Sequence, residues 1–124
     1  MELWIRNDSS KTLTGLRVQN CVMLRNARGF NQQDTGHHHL HGPFVAAANA
    51  GLDRWIIVAW DHNQRAWGNS LCPCMHSDPQ FPDCLPGHTQ RLRGWLSFYQ
   101  GEDLQGELDR IRKTGWLDPT SETR

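Results

Sequence analysis

The segment Phe44-Val45-Ala46-Ala47-Ala48-Asn49-Ala50-Gly51-Leu52-Asp53-Arg54-Trp55-Ile56-Ile57-Val58-Ala59-Trp60-Asp61 decides the fold. Two apolar runs flank Ala50-Gly51-Leu52-Asp53, a composition suited to a chain reversal. The second run, Trp55 to Trp60, consists of good β-formers and is apolar throughout, as a strand covered on both faces must be. The segment predicts a β-hairpin at the middle of a sheet.

Upstream, Leu3–Arg6 followed by Asn7-Asp8-Ser9-Ser10 reads as a strand and a turn. From Leu13 to Leu24 the side chains alternate: Leu16, Val18, Val22 and Leu24 on one side, Arg17, Gln19 and Arg25 on the other. That is the period of a half-buried strand, and it makes Cys21 a buried thiol. Residues 26–36 read as a loop. Downstream, residues 63–87 hold Pro73, Pro79, Pro82 and Pro86 as well as Gly68, Asn69 and Asp78. They predict a long irregular loop, and loops above about 15 residues usually carry a function. Residues 89–100 return to a strand, with Leu92, Trp95 and Phe98 pointing inward. A helix is predicted over 102–114: Leu104, Leu108 and Ile111 share a face, acidic residues open it and Gly115 stops it. The fold class is therefore mainly β, a single-domain β-sandwich or jelly roll over 1–116 with one short C-terminal helix. Residues 117–124 form a polar tail.

Composition excludes several classes. Formal charge is zero and Lys and Arg are not clustered, so neither a nucleic-acid stripe nor a membrane anchor is expected. No apolar run approaches the roughly 20 residues of a membrane span. The start, Met1-Glu2-Leu3-Trp4, is too short and polar for a signal peptide. The chain is expected to be cytoplasmic, or extracellular if it is the mature part of an exported protein.

Gly36-His37-His38-His39-Leu40-His41-Gly42 is the most informative motif. In an extended chain His37, His39 and His41 project to one side, and residues two apart lie about 6.5–7 Å from each other. Two imidazoles can then reach one ion, and neutral imidazole suits copper, zinc, nickel and iron. His88 or His76 would complete the set. A solvated loop without a ligand is the plainer reading of the same run. His62, in Asp61-His62-Asn63, reads as a turn.

Cys72-Pro73-Cys74-Met75-His76 with Cys84 offers thiolates and an imidazole. The Cys-x-Cys spacing departs from the usual Cys-x2-Cys knuckle. A disulfide from Cys84 to Cys72 or Cys74, or free thiols, is favoured here over a second metal site. Six Trp stand against one Tyr, and Trp67 and Tyr99 are the rings read as sugar-facing.

The spaced set His39, His41 and His88 resembles the metal-binding arrangement of cupins, although the Glu that usually follows the first motif is absent. The second motif appears only as Pro86-Gly87-His88. Within that family the small size and carboxylate-free set resemble copper-dependent, cupin-like proteins that cleave cellulose oxidatively. The resemblance implies a mononuclear copper, peroxide as co-substrate, a homodimer and an oxidised product. The leading expectation is accordingly a copper oxidoreductase acting on a polysaccharide, with His37, His39, His41 and His76 or His88 as ligands and zinc as the alternative ion. The alternatives are a carbohydrate-binding sandwich with a structural ion, a cupin-like metalloenzyme acting on a small metabolite, and a metal-storage or sensing protein.

Overall fold

Alternation along the central hairpin sends its apolar side chains to two opposite sides, and each side finds a separate cover. In the computed structural model, which describes residues 1–31 and 35–117, the hairpin is β4 (Phe44–Ala48) and β5 (Arg54–Trp60). Val45, Ala47, Ile56, Val58 and Trp60 enter one core cluster with Leu24, Met75 and Leu92. Phe44, Ala46, Ala48, Trp55, Ile57 and Ala59 enter a second with Leu108 and Ile111. The Asn49 side chain closes the turn, its Oδ1 accepting from the backbone N–H groups of Asp53 and Arg54 at 3.1 and 2.9 Å.

Two antiparallel sheets and a helix form three layers. The larger sheet has the order β1-β8-β5-β4-β3, with β1 at Glu2–Arg6, β3 at His39–His41 and β8 at Thr89–Gln100. The smaller sheet is β2-β7-β6, with β2 at Cys21–Met23, β6 at Asn63–Asn69 and β7 at Cys74–Pro79. Pairing β1 with β8 and β2 with β7 closes the ends of the chain on each other, as jelly rolls do, while β3-β4-β5 and β6-β7 are local meanders. Helix α1 (Leu104–Lys113) covers the outer face of the larger sheet. The Asp103 side chain caps it by accepting from the Gly106 N–H at 2.9 Å. The helix is not long and apolar enough to cross a membrane.

Four expectations need correction. Residues 63–87 are not one loop: β6 and β7 form a hairpin, because Pro73 precedes β7 and Pro79 ends it, positions that need no interior ladder hydrogen bond from proline. Of the predicted strand 13–24 only Cys21–Met23 is a ladder, while Leu13 and Arg17 make isolated bridges to Cys84 and Gln80. The apolar side of the alternation is real, since Leu16, Val18, Val22 and Leu24 all pack on the first cluster. Its reverse side carries Cys21, which is exposed rather than buried. Finally, Phe98 points outward and is 77% exposed, because the smaller sheet does not extend over that end of β8. Parts of the predicted loop 26–36 and of the C-terminal tail lie outside the described residues.

Double coverage of β5 predicts an asymmetric mutational response. Ile57→Ala, at a position with no exposure, should cost about 2–5 kcal/mol in urea unfolding. Phe98→Ala should stay within about 0.5 kcal/mol.

Candidate metal centre

Strand β7 runs between β2 and β6, so its alternate residues divide between core and exterior. Met75 packs in the core and Ser77 donates inward to the Pro43 carbonyl at 3.1 Å. Cys74, His76 and Asp78 therefore occupy the outer face of the smaller sheet. Register brings Cys21 and Trp67 opposite His76, Met23 and Asn69 opposite Cys74, and Arg65 opposite Asp78. The ligand atoms of Cys21, Cys74 and His76 lie within 4.8 Å of one another, a group that can hold a metal ion. Among the described residues no other His, Cys, Asp and Glu side chains converge in this way. Cys74 Sγ sits 3.0 Å from His76 Nε2 and 3.0 Å from Cys72 Sγ, so Cys72 joins the trio through Cys74.

His76 is set for ligation through Nε2. Its ring is 2% exposed and lies flat against Trp67, with centroids 3.9 Å apart and planes 12° from parallel. Nε2 faces the sulfurs while Nδ1 faces the Asp78 carboxylate at 3.7 Å. That carboxylate is itself held, accepting from Trp67 Nε1–H at 2.7 Å and from the Asn20 backbone N–H at 2.9 Å. A carboxylate behind the far nitrogen is the usual outer support of a metal-bound imidazole. Buried Nδ1 has no hydrogen bond, and an inward shift of under 1 Å would give it one.

Electrostatics favour the neutral imidazole and the protonated thiol until an ion arrives. Burial lowers the His76 pKa, Asp78 opposes the shift and the Arg65 charge adds to it. Burial pushes the Cys74 thiol up to about 12, with Cys72 and Cys21 contributing in the same direction. An incoming cation would displace that proton, so binding is coupled to proton release.

The other predicted ligands are placed elsewhere. His39 and His41 are on edge strand β3, with ring centroids 5.2 Å apart. They pair with Ala46 and Phe44 and so share the helix-covered face. His37 belongs to the turn before β3, so strand alternation does not extend to it. Burial lowers the His39 pKa, and His41 and Arg112 lower it further. The guanidinium of Arg112 lies 5.0 Å from the Phe44 ring, where its charge opposes a cation. His88 precedes β8, and its carbonyl accepts from the Asn7 N–H at 2.9 Å. Register places β8 three strands from β3 and His88 seven residues before Trp95, which lines up with His41. Those offsets separate His88 from the β3 pair by roughly 20 Å or more. Cys84 is buried against Leu13 and the His88 carbonyl, and all four cysteines are free thiols. No disulfide joins it to Cys72 or Cys74. Trp67 has His76 on one face and Arg65 at 4.3 Å on the other, while Tyr99 packs on the helix-side cluster. Trp67 therefore offers no open face to a sugar.

Cys72, Cys74 and His76 follow the same two-residue alternation that singled out the His run. The prolines hid it by making a strand look like a loop, and Cys21 enters only through tertiary pairing. The chain matches no protein family, no curated protein and no solved structure.

The lowered His76 pKa sets a pH dependence for the metal-free protein. The unfolded imidazole binds a proton near pH 6.5 and the folded one only at lower pH, so between those values the unfolded state holds more protons. This contribution is complete above about pH 6.5 and is lost on acidification below it. Thermal melts in chelator should show the midpoint falling from pH 7.5 to 5.5, and less steeply for His76→Gln.

Proposed function

We propose that this domain is a metal-binding protein that holds one Zn(II) ion between β2 and β7. Cys21, Cys74 and His76 are the ligands and Cys72 is the fourth. The observation that carries the reading is the convergence of three ligand atoms from two strands within 4.8 Å. Three thiolates and one imidazole form a standard tetrahedral zinc set. Such soft donors also take Cu(I) but discriminate against calcium and magnesium. In a tetrahedron of ordinary zinc bond lengths the ligand atoms stand about 3.5–3.8 Å apart. The 3.0 Å contacts at Cys74 need a small opening to admit the ion, and Cys72, which lies outside the group of three, swings in from Cys74 to complete the set.

The ion would fix a weakly held element. Strand β2 is three residues long and follows an irregular segment, so its ladder alone supplies few hydrogen bonds. Structural zinc contributes about 10–16 kcal/mol in isolated fingers, and a small share of that would exceed such a ladder. Copper-dependent oxidation of cellulose would instead rest on His39 and His41. The Arg112 charge beside that pair and the covered faces of Trp67 weigh against it.

Protein expressed without an affinity tag should carry about one zinc per chain by elemental analysis. Cobalt substitution should give thiolate charge-transfer bands. Cys21→Ser and His76→Ala should each weaken binding at least tenfold, while the double variant His39→Ala/His41→Ala keeps the ion. Absence of bound metal would overturn the proposal; copper lost only with the β3 histidines would replace it with the oxidative reading.

A further inference from the structure

We infer that Cys72 and Cys74 form a redox-active dithiol that ejects the ion when a peroxide oxidises it; this rests on the zinc reading above. The two sulfurs are 3.0 Å apart, in contact while both are thiols. Their place in the chain favours a bond. Cys72 lies in the turn before β7, not in the ladder, and a turn shortens the span between residues two apart. A disulfide needs Cα atoms about 4.4–6.8 Å apart. The competing pair is less well placed: Cys21 faces His76 across the ladder, so Cys74 is its diagonal neighbour, and diagonal positions stand about 7–8 Å apart.

Access has the right polarity. Within the pair, Cys72 is partly exposed and Cys74 is buried, so oxidant meets Cys72 before Cys74 and Cys74 resolves the product; a sulfenic acid formed at the exposed Cys21 would instead leave the pair reduced. The Cys72 thiolate attacks one oxygen of hydrogen peroxide, the O–O bond breaks, and a sulfenic acid and hydroxide form. The Cys74 sulfur then displaces the sulfenic oxygen as water, closing the S–S bond. Two thiolates lose two electrons, one peroxide gains them, and two protons from solvent complete two waters. The bond consumes two of the four donors. Cys21 and His76 remain, too few to hold zinc tightly, and the ion leaves.

Zinc-loaded protein is treated with one equivalent of hydrogen peroxide and followed by a chromogenic zinc chelator and by peptide mass spectrometry. The expected result is a Cys72–Cys74 disulfide, release of about one zinc per disulfide, an affinity at least a hundredfold lower, and full recovery with dithiothreitol. Cys21→Ser still forms the disulfide, and Cys72→Ser forms none. Zinc retained after oxidation, a bond to Cys21, or overoxidised cysteine without a disulfide would overturn the inference while leaving the zinc site standing. If the reduced protein binds no zinc the site itself fails, and with it the release; a Cys72–Cys74 disulfide formed without metal would show which premise failed.

Discussion

Coverage of the β4–β5 hairpin on both faces is the constraint from which the architecture follows. A strand as apolar as Trp55–Trp60 cannot leave either side in water, and one sheet can cover only one of them. The smaller sheet takes one side and α1 with Trp95, Tyr99 and Trp116 takes the other. Once the hairpin holds the middle, the second half of β8 pairs along all of β5, and β1 pairs with the first half of β8. The Trp60 ring lies against Gly94 so closely that no side chain fits there, which leaves the crossing of β5 and β8 little freedom.

The Cys21, Cys74 and His76 cluster inherits its position from the same arrangement. With Met75 drawn into the core, pleating turns Cys74, His76 and Asp78 outward. Outward does not mean wet: His76 is enclosed because Trp67 folds over it and Arg65 lies over Trp67. Burial in this setting keeps the imidazole neutral and its Nε2 lone pair available, the form that a metal requires.

Much of the fold was legible in the chain. The hairpin, β1, β8 and the helix follow from periodicity and composition, and the inward set Leu16, Val18, Val22 and Leu24 is assigned correctly even where no regular strand forms. What failed did so for local reasons. Prolines at the borders of β7 look the same in sequence as prolines in a loop. Phe98 is apolar and in phase with Leu92, but burial depends on whether another layer reaches it. The candidate site was legible only in half: His76 and its neighbouring cysteines are visible as chemistry, whereas Cys21, over fifty residues away, joins them only through the β2–β7 register. A run of histidines is conspicuous, but conspicuous residues need not converge.

The stack of Arg65, Trp67 and His76 also makes the site optically legible. An indole in van der Waals contact with the His76 imidazole, and hydrogen-bonded to the carboxylate behind that imidazole, would share its electronic surroundings with any ion held by the cluster. A change in charge at the centre would thus reach a natural chromophore directly, and Trp67 would report whether the cluster had taken up an ion.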